Sequence, residues 1–282
     1  MKKDVSASIV VYENNPEDVV NAIRSVLSAS MGVTCTVVDN SPTTALMTCV
    51  EENGAKYIHV GRNIGFGSGH NVVMREANEP SEYHLVLNPD VRFLPEVLIT
   101  LYRFMNDNQQ VGLVMPKILH PDGTEQRLCK QLPSPLDLVT RRFLGGIGRQ
   151  LFAGQLSRYE LRSLDLRVAR EVPCLSGCFM FLRSKTLREV GLFDERFFMY
   201  MEDVDLCRRI GERYKTIFYP WVAVTHGYAK GSYSNRTLLK YHVKSAIRYF
   251  GKWGWIYDSE RRMLNRNTLP VSGGRATRES VA

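Results

Sequence analysis

The sequence has 282 residues, of which 44% are hydrophobic, and a formal net charge of +8. This length allows one large domain, or one domain with an appendage. No apolar run reaches 18 residues, which argues against a transmembrane helix. The chain turns polar too soon after its start for a signal peptide, and its six cysteines are scattered, as in a protein of a reducing compartment. We therefore expect a cytoplasmic protein.

Short apolar strands alternate with helical patterns along the first 115 residues. The strand-like runs lie at residues 6–12, 33–38, 57–60, 83–87 and 111–115. Helical patterns begin at Pro16, Thr43, Asn71 and Pro95, and residues 61–69 form a glycine-rich loop. This alternation predicts an α/β fold with a mostly parallel central sheet and helices on both faces.

The second half of the chain begins with an irregular basic segment. Residues 127–170 lose periodicity and hold nine basic and three acidic side chains, so we predict an insert or lid there. After it we predict a strand at 176–182, a helix capped by Ser184, a helix at 203–211, strands at 216–219 and 222–225, and a helix at 235–250. The expected organisation is a main domain at 1–230, a basic amphipathic helical segment at 231–267 and a disordered tail at 268–282.

Polar side chains follow the strand at residues 83–87. Asn88 and Asp90 flank Pro89, which cannot donate to a strand ladder and therefore ends the strand. Ligands of open α/β sheets bind beyond the carboxyl ends of the strands. A carboxylate at this edge suits a hard divalent cation that already carries a diphosphate. A plain turn is the alternative, since Asn, Pro and Asp all favour turns.

Two further segments are candidates for contact with a nucleotide. Asp39 and Asn40 follow the strand at 33–38, where a carboxylate can accept hydrogen bonds from a ribose or a pyrimidine, although an Asx turn would use the same residues. The glycines of the loop would let the backbone approach a ligand, although an ordinary loop has a similar composition. The candidates in and after this loop are Arg62, Asn63, Gly65, Phe66 and Asn71.

Acidic residues cluster at the start of the predicted helix at 203–211. Glu202, Asp203 and Asp205 could simply complement the helix dipole. Neighbouring helical residues point about 100° apart, however, so the three cannot all face solvent. A carboxylate beside a cleft can act as a general base. His226 ends a later strand and becomes a metal-ligand candidate only if that strand end meets Asp90.

The C-terminal helix carries a basic ridge, in which like charges recur every four residues without interleaved acids. Such spacing is unfavourable in a plain surface helix and suggests an anionic partner. An apolar stripe and several aromatic residues accompany the ridge, which is typical of a helix that lies on an anionic membrane surface. The ridge is Arg236, Lys240, Lys244, Arg248 and Lys252, the stripe is Leu239, Val243, Ala246 and Phe250, and the aromatics are Tyr249, Trp253, Trp255 and Tyr257.

Together these motifs resemble the family 2 glycosyltransferases, inverting enzymes of the GT-A fold. The resemblance extends over about residues 6–250 and is closest to the bacterial dTDP-rhamnosyltransferases of O-antigen and cell-wall polysaccharide assembly. The matching segments include V-V-D-N-S at 37–41, R-N-I-G-F-G-S-G-H-N at 62–71, L-N-P-D at 87–90 and V-T-H at 224–226. The run F-F-M-Y-M-E-D-V-D-L-C-R-R at 197–209 is the most specific of them.

The resemblance implies roles for individual residues. Asp203 would be the catalytic base, with Glu202 as the fallback, and Mg²⁺ or Mn²⁺ would be the cofactor. Asn88 replaces the first aspartate of the family's D-x-D pattern, which removes one negative charge and should weaken metal affinity. The related rhamnosyltransferases share this N-P-D. The implied metal site is Asp90, His226 and Asn88, and the implied nucleotide-sugar site is Asp39, Asn40, Arg62, Asn63, Gly65, Phe66, Asn71 and Asn88.

The resemblance also implies substrates and partners. The donor would be dTDP-rhamnose, and the acceptor a polyprenyl-diphosphate-linked sugar at the inner face of the cytoplasmic membrane. The acceptor diphosphate is hypothesised to bind Arg141, Arg142, Lys244 and Arg248. No nucleic acid is expected as a partner, and homodimerisation is left open. The alternatives are a hexosyltransferase that uses a UDP-sugar and, in another class, a basic nucleic-acid-binding protein.

Overall fold

The computed structural model describes residues 4–76, 81–143, 150–227 and 236–266. Within them, nine strands form one sheet, and helices pack around it. The strands are β1 (Val5–Val11), β2 (Val33–Asp39), β3 (Lys56–His59), β4 (Tyr83–Leu87), β5 (Val91–Arg92), β6 (Val111–Leu119), β7 (Arg170–Glu171), β8 (Phe179–Arg183) and β9 (Lys215–His226). The helices are α1 (Pro16–Leu27), α2 (Met47–Glu52), α3 (Phe66–Glu76), α4 (Glu96–Asp107), α5 (Pro135–Phe143), α6 (Ala153–Tyr159), α7 (Ser184–Val190), α8 (Glu202–Gly211), α9 (Arg236–Trp253) and α10 (Ser259–Arg266).

The strand order of the sheet is β3-β2-β1-β4-β8-β6-β9-β5, with β7 beside β9. β1 runs parallel to β2 and β4, β2 runs parallel to β3, and β6 runs parallel to β9. β8 lies antiparallel between β4 and β6, so β4 and β6 point the same way. The six strands in parallel pairs, β1, β2, β3, β4, β6 and β9, therefore share one direction. The predicted α/β fold with a mostly parallel sheet is confirmed. The carboxyl ends of β2, β4 and β9 consequently meet at one edge.

The hydrophobic core explains why these segments form strands. β4 and β8 are buried along their whole length, as expected for central strands covered on both faces. The apolar stripe of α1 packs against the sheet through Val19, Ile23 and Val26, which are fully buried. The amphipathic period of α1 therefore matches its packing.

Three local predictions were wrong. The strands expected at 216–219 and 222–225 are one strand, β9, whose pairing with β6 shifts register between Pro116 and Lys117. Pro220 lies in the shifted part of β9, where the missing N–H interrupts the ladder. Ser184 is the first residue of α7 rather than its cap, and no side-chain hydrogen bond caps that helix. The segment expected to lack periodicity contains α5 and α6.

Helix α3 begins at Phe66, five residues earlier than predicted, and includes two glycines of the expected loop. These glycines serve close packing. A Cβ atom on Gly69 would lie 2.8 Å from the methyl carbons of Val10 on β1, and one on Gly67 would lie 2.9 Å from Cβ of Phe193. The glycine pattern thus reflects close approach of protein to protein at these positions.

Helix α9 has one face against the protein and one face exposed. Tyr249 and Phe250 are buried, whereas Val243 and Ile247 are 40% and 54% exposed. The predicted apolar stripe is therefore divided between the two faces. Lys252 leaves the predicted ridge, because its Nζ lies 2.7 Å from the buried Asp205 carboxylate. None of the described helices is both long and apolar enough to cross a bilayer.

A buried ion pair fastens the C-terminal segment to helix α8. The two terminal nitrogens of Arg208 donate to the two carboxylate oxygens of Asp258 at 2.6 and 2.7 Å, and both side chains are 2% exposed. The Arg208 guanidinium also lies 4.1 Å from the ring centre of Trp253. Asp205 accepts hydrogen bonds from Arg209 and from the Trp253 indole. The acidic and basic residues of α8 therefore anchor the helices that follow.

Breaking the Arg208–Asp258 pair should be costly, because the Arg208 guanidinium stays buried and keeps only its longer ion-pair contacts with Glu212 and Glu260, at 3.9 and 3.7 Å. We expect Asp258→Ala to lower the free energy of unfolding by about 3–5 kcal/mol in urea denaturation. The exposed pair between Arg92 and Asp18, 2.8 Å apart, is the matched control. Asp18→Ala should cost about 1 kcal/mol or less. Similar losses for the two variants would contradict the anchoring role.

Candidate active site

The carboxyl edge of the sheet opens into a cleft of about 940 Å³. Asn88 and Asp90 follow β4, His226 ends β9, and Glu202 and Asp203 begin α8. All five line the cleft. The structure therefore brings together segments around residues 90, 203 and 226 that are far apart in the chain. The other predicted site residues in the cleft wall are Asn40, Asn63, Gly65 and Phe66.

The residues just before β8 also line the cleft, and sequence reasoning missed them. Ser176, Gly177 and Cys178 lie in the cleft wall, and Cys178 accepts a backbone hydrogen bond from Asn88 at 2.9 Å. β8 is antiparallel to its neighbours, so its beginning reaches the edge where the other strands end. A rule based on the carboxyl ends of strands could not have found these residues.

Backbone pairing sets the position of His226 beside Asp90. Val91 of β5 lies opposite His226 in the antiparallel register, and the Gly227 N–H donates to the Asp90 carbonyl at 3.1 Å. Nε2 of His226 lies 3.4 Å from Oδ1 of Asp90 and 3.3 Å from the amide nitrogen of Asn88. The imidazole and the carboxylate are thus held together by the sheet.

Gln126 sets the tautomer of His226. Its amide nitrogen donates to the carbonyl oxygens of His226 at 2.7 Å and Leu119 at 3.2 Å, which fixes the orientation of the amide. Its Oε1, 3.0 Å from Nδ1 of His226, must therefore accept the ring N–H. In the neutral imidazole the lone pair of His226 is consequently on Nε2, the nitrogen that faces Asp90 and Asn88. Sequence reasoning missed Gln126, which lies 100 residues from His226.

The side chains of Asp90 and His226 could bind a divalent cation whose remaining ligands come from the substrate or from water. A carboxylate from Asp90 and a neutral imidazole nitrogen from His226 are suitable ligands for Mn²⁺, and the carboxylate suits Mg²⁺. Within the described ranges there is no group of three or more His, Cys, Asp or Glu side chains that could hold a metal ion. A bound ion would therefore need diphosphate or water oxygens to complete its coordination.

Two backbone N–H groups orient Asp203. Gly177 donates to Oδ2 at 3.0 Å, and Val204 donates to Oδ1 at 2.8 Å. Each carboxylate oxygen keeps a further lone pair that can accept a substrate hydroxyl. The geometry is that of a positioned proton acceptor.

Glu202 differs from its neighbour. Its side chain is buried, and Oε2 has no hydrogen-bond partner among the described residues. Burial, together with the nearby charge of Asp203, raises the pKa of Glu202 to about 8. Glu202 is therefore a neutral carboxylic acid near pH 7, which suits it to donating a hydrogen bond.

The loop that leads into α8 is strained. Tyr200 and Met201 have φ angles of 67° and 68°, in the left-handed region that residues with side chains seldom adopt. The hydroxyl of Ser245 on α9 donates to the Met199 carbonyl at 2.8 Å and supports this loop. Strain of this kind persists where surrounding contacts impose it, and it clusters at functional sites.

The glycine-rich segment packs against the same loop. The Phe66 N–H donates to the Phe198 carbonyl at 3.1 Å, and a Cβ atom on Gly65 would lie 2.2 Å from that carbonyl oxygen. Asn63 accepts the Gly65 N–H at 3.0 Å. Asn40 donates to the Gly65 carbonyl at 3.2 Å, while its buried Oδ1 has no partner among the described residues. These contacts connect the nucleotide candidates to the loop that leads into α8.

Three residues predicted to contact the nucleotide do not line the cleft in the structure. Asp39 is fully buried, and its oxygens accept the Ser41 N–H and the Tyr57 hydroxyl at 2.8 and 2.7 Å, as in the Asx-turn alternative. Asn71 is also fully buried and exchanges hydrogen bonds with the backbone of Phe193. Arg62 is exposed. The structure does not place these three side chains in the wall of the cleft.

A second pocket, of about 210 Å³, adjoins the cleft. The two cavities share the wall formed by Ser176, Tyr200, Glu202 and Asp203. Of the residues predicted to bind an acceptor diphosphate, Arg141 lines this second pocket. The side chain of Arg142 lies outside the described residues. Lys244 and Arg248 lie on the exposed face of α9 and line neither cavity.

Residues 6–191 match the family described as Glycosyl transferase family 2, and they make up more than half of the sequence. The chain therefore belongs to this family. Asp90 lies within the matched range, whereas Asp203 and His226, which line the same cleft, lie beyond it.

Curated relatives have similar lengths. The N-acetylglucosaminyl-diphospho-decaprenol L-rhamnosyltransferase of Mycobacterium tuberculosis is 28% identical over 246 residues, which is 81% of this chain and 76% of that protein. The rhamnosyltransferase WbbL of Escherichia coli is 23% identical over 281 residues, which is 94% of this chain and 97% of that protein.

Solved structures share the fold. A mannosyltransferase of Pyrobaculum calidifontis, in complex with GDP-Man and Mn²⁺, superposes with a TM-score of 0.58 at 14% identity over 89% of this chain. GalNAc-T7 with UDP, GalNAc and Mn²⁺ superposes with a TM-score of 0.63 at 14% identity over the same share. The chain spans 64% and 48% of the lengths of these two proteins. The likeness establishes a GT-A glycosyltransferase fold.

The raised pKa of Glu202 predicts that this residue lowers the stability of the folded protein as the pH rises. The folded protein keeps this proton up to a pH of about 8, whereas an ordinary glutamic acid loses it near 4.5, so Glu202 reduces stability as the pH rises through this range. The difference in unfolding free energy between Glu202→Gln and the wild type should therefore grow by roughly 2–3 kcal/mol, in favour of the variant, as the pH rises from 6 to 8. Urea denaturation at each pH measures the difference. The exposed Glu52→Gln variant is the control. If the unfolding free energies of Glu202→Gln and the wild type change with pH in parallel, the burial argument is contradicted.

Proposed function

We propose that the protein is an inverting rhamnosyltransferase that moves L-rhamnose from dTDP-rhamnose to a polyprenyl-diphosphate-linked sugar. One observation carries this proposal: Asp203 stands in the wall between the cleft with the metal-ligand candidates and a second pocket. A base at that position can contact an acceptor hydroxyl on one side while the donor lies on the other. The names of the rhamnosyltransferase relatives support the sugar and the lipid-linked acceptor.

The donor would lie along the carboxyl edge of the sheet. Asn40 and Asn63 offer polar groups in the cleft wall, and the unpartnered Oδ1 of Asn40 can accept a hydrogen bond from a nucleoside. Asp39 and Arg62 would contribute only after rearrangement, because neither lies in the wall.

Asp90 and His226 would hold the divalent cation, with Asn88 beside them. Both structural neighbours are complexes with Mn²⁺, which supports a divalent metal in this protein. A bound Mg²⁺ or Mn²⁺ would neutralise charge on the diphosphate leaving group. Asn88 contributes no charge, so fewer carboxylates hold the ion than in a D-x-D site, and its affinity should be lower.

The chemical step needs a base on the acceptor side. Asp203 accepts the proton of the acceptor hydroxyl while that oxygen bonds to the anomeric carbon of rhamnose. The bond from this carbon to the diphosphate oxygen breaks, and its electron pair leaves with the nucleoside diphosphate. Attack from the face opposite the leaving group inverts the configuration. Gly177 and Val204 keep the Asp203 carboxylate oriented during this transfer.

The exposed face of α9 would bind the membrane that carries the acceptor. Val243 and Ile247 are exposed apolar residues flanked by the cations Lys240, Lys244 and Arg248. This combination matches an in-plane helix that inserts apolar side chains between anionic headgroups. The exposed Trp255, Ile256 and Tyr257 that follow add further apolar surface.

Removal of the base should abolish most turnover. We expect Asp203→Asn to lower kcat by about 10²–10⁴-fold and to leave the KM for the nucleotide sugar within a small factor of the wild type. Steady-state release of the nucleoside diphosphate measures both constants. Asp122→Asn, in an exposed turn, is the control. Near-normal turnover by Asp203→Asn, with activity lost instead in Glu202→Gln, would transfer the role to Glu202.

Charge on α9 should govern membrane binding. The double variant Lys240→Gln, Lys244→Gln should bind vesicles rich in phosphatidylglycerol about 30-fold more weakly, since each basic residue near an anionic surface contributes about 1 kcal/mol. Vesicle sedimentation measures the partition. A double variant with Lys56→Gln and Lys185→Gln, on other surfaces, is the matched control. Equal binding to phosphatidylcholine vesicles, or no effect of the α9 charges, would refute the proposed surface.

A further inference from the structure

Two cations stand where the second pocket meets a third cavity. Lys130 and Arg141 line both the 210 Å³ pocket behind Asp203 and a neighbouring cavity of about 370 Å³. The remaining wall of the smaller pocket is largely apolar, with Leu128, Leu138, Leu175 and Val204. Glu202 and Asp203 also line this pocket, in the wall that it shares with the cleft. The two basic side chains could therefore hold an anionic group while the attached sugar lies near the carboxylates.

The charge of Lys130 is poorly compensated. No carboxylate among the described residues forms an ion pair with it, whereas Arg141 lies 3.5 Å from Glu160. Burial lowers the pKa of Lys130 and the nearby charge of Arg141 lowers it further, while the charges of Asp203 and Glu160 act in the opposite direction. An anion placed between the two side chains would offset both effects. Glu160 also pairs with Arg162 at 2.7 Å, so its charge is shared.

The position of the pocket distinguishes it from the donor site. Lys130 and Arg141 do not line the cleft that contains Asp90 and His226, where the donor diphosphate is placed. They do lie in the same pocket as Asp203, the proposed base. An acceptor with its anionic group beside Lys130 would therefore place the sugar next to that group near Asp203.

We propose that Lys130 and Arg141 bind the diphosphate of the lipid-linked acceptor in the pocket behind Asp203, an inference that rests on the proposed function. The diphosphate then fixes the distance between the lipid and the reacting hydroxyl. Its double charge is recognised by an ammonium and a guanidinium group, which donate charge-assisted hydrogen bonds to phosphate oxygens. His242 of α9 lines the same pocket, so the pocket adjoins the helix proposed to bind the membrane.

The test compares two soluble acceptors that carry the same sugar. One is an alkyl diphosphate-linked sugar and the other is the neutral alkyl glycoside. We expect Lys130→Met and Arg141→Gln each to raise the KM for the diphosphate acceptor about 10–100-fold, because a charged hydrogen-bond partner is lost. The kcat/KM on the neutral glycoside and the KM for the nucleotide sugar should not change. Lys130→Arg should restore most of the affinity, and the exposed Lys185→Met is the control.

The outcomes separate the inference from the function on which it rests. If the wild type transfers sugar and the two variants keep the wild-type KM for the diphosphate acceptor, the subsite is wrong and the function stands. A rise in the KM for the nucleotide sugar instead would assign the cations to the donor diphosphate and overturn the inference. Equal losses on both acceptors would show a structural role and also overturn it. Failure of the wild type on every acceptor and donor would reject the proposed function itself.

Discussion

The buried contacts of helix α8 determine the rest of the site. Asp205 accepts hydrogen bonds from Arg209 and Trp253, and Arg208 forms a bidentate pair with Asp258. Because adjacent residues of a helix point about 100° apart, fixing these side chains inward also fixes the rotation of the first turn. Glu202 and Asp203 are thereby directed into the wall between the two cavities. The same contacts attach the C-terminal helices, so α8 and the proposed membrane helix α9 form one connected structure.

The site is assembled from two halves with different origins. The sheet supplies Asp90 and His226 through strand ends and the pairing of β5 with β9, whereas α8 supplies the carboxylates of the opposite wall. Gly65 lets the glycine-rich segment approach the Phe198 carbonyl and so links the halves. Charge follows this division. Asp90 lies in the cleft, Glu202 and Asp203 lie in the wall shared by the two cavities, and Lys130 and Arg141 line only the second pocket and its neighbour. Further cations lie on the exposed face of α9. A donor with its metal ion and an anionic lipid acceptor would thus meet complementary surfaces.

The sequence predicted the fold class, and parallel strands that bring their carboxyl ends to one edge explain why Asp90 and His226 meet. Asp203 begins a helix, and its place in the site was implied by the family resemblance alone. The sequence did not reveal Gln126 or Gly177, whose positions depend on tertiary contacts and on the reversed direction of β8. The glycine pattern signalled close approach but not the partner, which at Gly69 is Val10. The spacing of charges wrongly assigned Lys252 to the exposed basic ridge. Periodicity along a helix cannot show that one of its lysines pairs with a buried carboxylate, here that of Asp205.

The stereochemistry of the transfer is the most direct test of a single displacement assisted by Asp203. The purified protein would be incubated with a diphosphate-linked N-acetylglucosamine acceptor and, separately, dTDP-rhamnose, UDP-hexoses and GDP-mannose in the presence of Mn²⁺, and the products analysed by NMR. We predict transfer from dTDP-rhamnose with inversion at the anomeric carbon. Retention of configuration would contradict a single displacement assisted by Asp203, and transfer only from a UDP- or GDP-sugar would contradict the assigned donor.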